Sequence, residues 1–354
     1  MRRILVVRLS SIGDIVHALP AVAALGQSSP ETRIDWVIES RYAELLRDNP
    51  FVHRVISIDT LGWRKSWGAP ETWRDAIRSL RAIRSLRPDV ALDFQGLLKS
   101  ALVARISRAR RRIGFRGRWL RESLAGVLYT EGVHAEGRTH VVEENLALVE
   151  RLGVSAVSRE EWRFPLPGPA EVERRVVERL ATLGAREIIV VNPGGGWSSK
   201  RWPPDQYAEL IRELGGLPGY HVLVTGSPAE EPLISSILQQ AGSLRAFYFP
   251  STLVEFIVLT RRARLFVGGD TGPMHIAAAA GTPVVAVYGP TNPARNGPFR
   301  KDDVTVWNNE PGHKKRGYAH WGSGRKTDQV HLEGIPTEKV WQAVLSRLAY
   351  PHGS

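Results

Sequence analysis

The sequence predicts an α/β protein built as two doubly wound, Rossmann-like domains facing each other across a cleft. Three observations carry that expectation. Short runs of branched apolar residues alternate with longer segments of helical periodicity, the pattern of parallel strands covered by helices. The plan occurs twice in 354 residues, a length that accommodates two cores of ordinary size. Several strand-like runs also end in glycine-rich turns that open a helix, which is where open parallel sheets bind ligands.

In the first half the strand-like runs are residues 4–7, 34–38, 55–58 and 90–92, and helical periodicity covers 73–86 and 97–106. Pro20, inside the helical pattern that follows the first strand, predicts a kink or an early end. The pattern lapses between residues 154 and 169, where Pro165-Leu166-Pro167-Gly168-Pro169 stiffens a linker. The second half repeats the plan with strands at 188–191, 221–224, 265–267 and 284–287 and helices at 203–214, 230–240 and 253–261. Residues 308–326 are polar, basic and rich in Gly and His, and read as a loop. The expected domains are therefore 1–160, a linker with a first helix at 161–180, and a second domain at 181–335. A terminal helix within 336–354 is expected to cross back and brace the first domain.

The hydrophobic fraction of 43% and charged fraction of 24% are those of a globular chain. No apolar run reaches the roughly 18 residues that span a bilayer. Met1-Arg2-Arg3-Ile4-Leu5-Val6-Val7 imitates a leader, but Arg8 interrupts it and no small-residue cleavage site follows, so a first strand and a cytoplasmic protein are expected. The absence of cysteine excludes a disulfide framework, a thiol nucleophile and a thiolate metal site. No His, Asp or Glu cluster has metal-ligand spacing, so no metal is expected. The net charge of +12 implies attraction to polyanions. Eight arginines fall between Arg105 and Arg121 with no acidic residue among them, and this segment is expected to face an anion.

Three motifs carry chemistry. Gly269-Asp270-Thr271-Gly272-Pro273-Met274-His275 joins an apolar strand to a small-residue helix, and the N–H groups at such a terminus suit a phosphate. Asp270 and His275 flank it and can hold a ribose or a diphosphate, or equally cap and pack the turn. Ser10-Ser11-Ile12-Gly13-Asp14 follows the first strand, and Asp14 at a helix start is either a cap or an ionised general base, with His17 one turn on. Asn192-Pro193-Gly194-Gly195-Gly196-Trp197-Ser198-Ser199-Lys200 lets the backbone of Gly195 and Gly196 approach a ligand and adds the positive charge of Lys200. It lacks the third glycine of a dinucleotide fingerprint. Glu230, after another strand, can accept from ribose hydroxyls or cap its helix. Trp63-Arg64-Lys65-Ser66-Trp67 mixes cations with aromatic faces, as an anionic sugar or lipid headgroup would need, and Asp93-Phe94-Gln95-Gly96 is expected to line the cleft.

Together, and in this order, these segments resemble glycosyltransferase family 9, the ADP-heptose:lipopolysaccharide heptosyltransferases, over residues 2–298. Ser-Ser-x-Gly-Asp with His-x-Leu-Pro-Ala looks like that family's opening. Asp35-Trp36-Val37-Ile38-Glu39, the Trp63–Trp67 segment and Gln95-Gly96-Leu97 with Lys99-Ser100-Ala101 look most like heptosyltransferase I. Lys200-x-Trp202-Pro203, Asp270-Thr271-Gly272-Pro273-x-His275 and Tyr288-Gly289-Pro290-Thr291 look like its donor-side marks. The resemblance implies the GT-B fold, with Asp14 as catalytic base. It implies that Gly195, Gly196, Lys200, Glu230, Asp270, Thr271, Gly272 and His275 hold the nucleotide-sugar. Ser10, Ser11, Lys65, Gln95 and Arg121 would hold a phosphorylated, acidic glycolipid acceptor.

The implied reaction is an inverting transfer of heptose from ADP-heptose to a Kdo sugar of the lipopolysaccharide inner core. It needs no cofactor, and would take place at the cytoplasmic face of the inner membrane in peripheral contact with anionic lipid. The alternatives are a family member with another donor or a later acceptor, like heptosyltransferase II, and a non-catalytic polyanion-binding protein. Nucleic acid is not the expected partner, because a basic surface alone does not explain the Gly-Asp turns.

Overall fold

The computed structural model describes residues 2–195, 201–289, 291–308 and 332–349. The chain divides into two compact units, with the boundary at Pro167 and Gly168, inside the proline-rich linker.

The first unit is built on the strands β1 (Arg3–Val7), β2 (Arg33–Glu39), β3 (Arg54–Ile58), β4 (Val90–Asp93), β5 (Arg111–Phe115) and β6 (Glu131–Val133). All pair in parallel in the order β3-β2-β1-β4-β5-β6. Its helices are α1 (Ile12–Ser28), α2 (Thr60–Lys65), α3 (Pro70–Leu86), α4 (Leu98–Ile106) and α5 (Val141–Glu150). Ile4, Leu5, Val6 and Val7 are all buried, as expected of a central parallel strand covered on both faces.

The second unit opens with α6 (Ala170–Thr182) and continues through β7 (Glu187–Asn192), α7 (Pro204–Gly216), β8 (Tyr220–Val224), α8 (Glu231–Ala241) and β9 (Ala246–Tyr248). It then runs through α9 (Leu253–Arg262), β10 (Leu265–Gly269), α10 (Gly272–Ala279), β11 (Val284–Tyr288), α11 (Pro293–Asn296), β12 (Val304–Trp307) and α12 (Thr337–Ala349). The parallel order β12-β11-β10-β7-β8-β9 repeats the first sheet's winding. In each sheet the winding reverses between the first strand and the fourth, at β1/β4 and at β7/β10, and ligands of such sheets bind beyond the strand ends at that point.

Three features go beyond the expected plan. Pro20 neither ends nor breaks α1, which runs to Ser28 with twelve buried residues, packed along α5. The cost of a proline in a helix interior, about 3 kcal/mol, is offset by that burial. The terminal helix α12 packs on α7, β11 and β12, and its Val340 and Val344 join the second unit's core. The arginine-rich segment contains a strand, β5, and its counter-charge comes from the neighbouring strand. Glu131 accepts from Arg111 Nε at 2.6 Å and from Arg111 Nη2 at 3.0 Å. Arg112 caps the carbonyls of Leu128 and Ala109, and Arg118 lies 4.5 Å over the Trp119 ring. Arg111 and Arg112 are therefore committed to the fold, while Arg105, Arg108, Arg110, Arg116 and Arg118 are exposed.

Candidate active site

Asp14 and Gln95 follow the two strands at the first unit's switch point, and Gly195 and Asp270 follow the two at the second's.

In the first, Ser11 is the N-cap of α1 and Asp14 is its third helical residue, so Asp14 is not itself the cap. Its Oδ2 accepts from Ser11 N–H and Ser11 Oγ, both at 3.2 Å. Its Oδ1 meets two guanidinium groups, Arg8 Nη2 and Arg121 Nη2, the latter at 3.0 Å. Burial works against the charge on Asp14, but Arg121 and then Arg8 outweigh it, with the Ser11 N–H and His17 adding to them. The carboxyl is held far below the ordinary carboxylate range. It is ionised at any physiological pH.

Arg8, which in the sequence marks only a break in an apolar leader, is part of this group. It sits one residue past β1 and is 2% exposed. Its Nη1 donates to the Phe94 carbonyl, and its own carbonyl accepts from Trp36 Nε1 at 3.1 Å. Burial pushes its pKa down to about 10, partly countered by Asp14, which leaves it charged at neutral pH. The available signal was the rule that a charge amid a buried strand needs a partner.

Arg121 reaches Asp14 because its segment is tied to the end of β4. Gly96 adopts φ +69°, a left-handed conformation that favours glycine, and its carbonyl accepts from Glu122 N–H at 3.1 Å. Glu122 in turn accepts from Leu98 N–H at 2.6 Å. Asp93, fully buried, takes N–H bonds from Gln95 and Gly96 and hydroxyl bonds from Ser100 and Tyr129. Burial raises its pKa against those four donors. Gln95, expected to line the site, is 2% exposed and accepts Leu9 N–H at 2.8 Å, which clips β4 to β1. Ser10 is partly exposed and Ser11 exposed beside Asp14. Lys65 stands exposed at the end of α2, and no hydrogen bond or ion pair here joins it to the Asp14 group. His17 packs edge-on against His140, with ring centroids 5.6 Å apart, at the interface of α1 and α5.

In the second half the backbone dominates. Gly195 N–H donates to Glu230 Oε1 at 2.9 Å, while Ser227 N–H and Oγ both donate to Oε2 at 2.8 Å. Burial disfavours the charge on Glu230, but the two Ser227 donors and Gly195 N–H prevail and lower its pKa. A Cβ on Gly194 would lie 2.2 Å from Glu230 Oε1, so a larger residue there would push the Glu230 carboxylate aside. A Cβ on Gly195 would lie 3.0 Å from Thr271 Cγ2, which sets this loop beside the start of α10. Thr271 is the N-cap of α10 and Gly272 its first residue. Thr271 N–H donates to the Gly269 carbonyl at 2.8 Å and Pro273 has no N–H, which leaves Gly272 and Met274 to supply the N–H groups at the positive end of the helix dipole.

Asp270, expected to meet a ribose or diphosphate, is 5% exposed and engaged within the protein. It accepts from Thr291 Oγ1 at 2.7 Å and from Asn296 Nδ2 at 2.8 Å, and His275 Nε2 lies 3.3 Å away. It therefore locks the β10 turn to α10 and to the loop after β11. Asn296 was not found from the sequence and lies in no motif that would have flagged it. Gly196 and Lys200, and residues 309–326 of the expected basic loop, lie outside the described residues.

The sequence matches the profile of glycosyltransferase family 9 (heptosyltransferase) over residues 76–321. It is 31% identical to lipopolysaccharide heptosyltransferase 1 of Escherichia coli O18:K1:H7 over 307 residues, which cover 85% of this chain and 90% of that one. It is 24% identical to lipopolysaccharide heptosyltransferase 3 of Escherichia coli over 338 residues, 94% of this chain and 95% of that one. Among solved structures, E. coli heptosyltransferase WaaC with ADP superposes with a TM-score of 0.78 at 27% identity, covering 98% of this chain and 99% of that chain.

Proposed function

The chain belongs to glycosyltransferase family 9, the heptosyltransferases, and from that premise we propose that it moves heptose from ADP-heptose to a Kdo residue of the lipopolysaccharide inner core, inverting the anomeric carbon. The observation that carries this reading is the Asp14 cluster. An ionised carboxylate stands at a switch point, beside two cations suited to an acidic sugar.

The acceptor hydroxyl oxygen attacks the anomeric carbon as the bond to the β-phosphate oxygen breaks. ADP leaves with the electron pair, and Asp14 takes the hydroxyl proton, an effect typically worth about 10²–10⁴-fold. As it stands, Asp14 is too weak a base for that task, because Arg121 and Arg8 hold its pKa down. An anionic acceptor resolves this. Its carboxylate or phosphate draws Arg121 to itself, and Asp14, losing one of its two cations, becomes more basic only when acceptor is bound. Arg8, buried and tied to Phe94, stays and holds the carboxylate in place.

On the donor side, negative charge grows on the departing diphosphate. The N–H groups at the start of α10, with Lys200, stabilise it more in the transition state than in the ground state. Glu230 and Asp270 act here by fixing the glycine loop and the α10 turn.

The likeness to a heptosyltransferase 3 supports a second reading in which the acceptor already carries heptose. Offering ADP-heptose with Kdo-lipid A and with its heptosylated product separates the two. Turnover on the first alone is expected, and turnover only on the second would overturn the acceptor assignment. Retention of the donor's anomeric configuration, read by NMR of the product, would overturn the single displacement.

A further inference from the structure

The described residues expose ten large hydrophobic side chains, and eight of them belong to the first unit, on α3, α4, the turn Ser123–Leu128 and the residues before α3. Right-handed crossovers place α1 on one side of the sheet and α3 and α4 on the other. There α3 packs on β3 and α4, and α4 packs on the turn Ser123–Leu128. Trp73, Ile77 and Leu80 are 57%, 44% and 37% exposed and recur at the i, i+4, i+7 spacing, so they form one stripe along α3. Trp67, just before α3, is 72% exposed. The neighbouring layers extend the patch through Leu98 and Leu102 of α4 and Leu124 and Val127 of the turn, the last 81% exposed. Scattered surface leucines need no explanation, but an apolar stripe continued across three adjacent elements marks an interaction surface.

Charge says what covers it. From Arg74 to Arg87 the helix and its C-cap carry five exposed arginines and one acid, Asp75. Asp75 is already accepting from Trp63 Nε1 at 2.8 Å. Arg74, Arg78 and Arg81 each follow a residue of the stripe by one position, so they border it. A second copy of this face would set arginine against arginine, and a nucleic acid would leave the apolar stripe in water. A bilayer with anionic headgroups accommodates both parts, hydrocarbon for the stripe and phosphate for the border. No helix among the described residues is long and apolar enough to cross a membrane.

We propose that the α3–α4 face of the first unit docks on an anionic lipid bilayer, with Trp73, Ile77 and Leu80 entering the headgroup boundary and the α3 arginines held on lipid phosphates. The face adjoins the Asp14 group, because Leu98 N–H, Glu122 and Arg121 are linked through one short segment. In that respect the inference extends the proposed function, since a glycolipid acceptor held in that bilayer reaches the site from this edge.

The test is co-sedimentation of the full chain with phosphatidylcholine vesicles made with and without phosphatidylglycerol. Binding to the anionic vesicles is expected, falling with added salt. Arg78→Ala with Arg81→Ala should weaken it about 25-fold at low salt, from roughly fivefold per cation. Ile77→Ser with Leu80→Ser should weaken it about tenfold for side chains half immersed. Unchanged circular dichroism and ADP affinity in both variants show that the fold is intact. Equal binding to neutral vesicles, variants that bind like the parent, or lipid-independent self-association abolished by these changes would each overturn the proposal. The vesicles hold neither donor nor glycolipid. An unaltered chain that transfers heptose but does not bind the anionic vesicles therefore removes this inference alone, and one that binds them without transfer removes only the proposed function.

Discussion

The two units wind their six strands in the same order, yet the ends of their central strands do opposite things. After β1 and β4 the first unit gathers side-chain charge, with Arg8, Asp14 and Arg121 within ion-pair distance. After β7 and β10 the second unit offers backbone, a glycine loop and a helix start, and turns its carboxylates inward to hold them. One scaffold therefore supports two kinds of recognition. A proton acceptor must be a side chain with a tuned pKa, whereas a diphosphate is served well by fixed N–H dipoles.

The contrast breaks first at Arg8. If the first unit depends on buried charge, Arg8→Met should cost about 3 kcal/mol, because Asp14 loses one of its two cations and the Phe94 carbonyl its donor. Urea denaturation measures it, and a loss under about 1 kcal/mol would make Arg8 a bystander.

The pH dependence of stability sharpens the contrast next, since Asp14 in the first unit and Asp303 in the second should respond with opposite sign. Asp14 has a depressed folded pKa, so its contribution is whole above the unfolded value of about 4 and is lost as pH falls below that. Asp303 in the second unit is pushed up to about 6 by burial, against bonds from Arg300 and Val284 N–H and the charges of Arg300 and Arg347. Its contribution is whole below about 4 and is lost as pH rises through 6, an effect on the order of 2–3 kcal/mol. Melting curves across pH 3 to 7 should show a shallower acid-side fall in Asp14→Asn and should lack the loss between about 4 and 6 in Asp303→Asn. Unaltered profiles would contradict both assignments.

The smallest expected effect is at Gly194. Alanine there forces Glu230 off Gly195 N–H, because the added Cβ would lie 2.2 Å from Oε1. Removing that charge-assisted bond should weaken ADP binding about tenfold, or 1.4 kcal/mol, in calorimetry. Full affinity would show that the loop does not need its brace.

The central strands were legible because each is a continuous apolar run, as a strand buried on both faces must be. Strands β5, β6, β9 and β12 were not, since they lie towards the sheet edges and are short or carry polar residues, Arg111 and Arg112 above all. Asp14 was legible from its place after β1 and from the family resemblance. Its partnership with Arg121, 107 residues away, was not, because an ion pair leaves no local trace in sequence. Glu230 and Asp270 stood out as carboxylates after strands, but whether such a group faces a ligand or braces a turn is decided by donors elsewhere in the fold, such as Ser227 and Asn296.

The most direct measurement pairs two readings on one variant, Asp14→Asn: heptose transfer and ADP affinity by calorimetry. Side-chain chemistry in one unit and donor binding in the other predict turnover lower by about 10²–10⁴-fold with ADP affinity unchanged. Full turnover, or ADP affinity falling in step with it, would contradict that division.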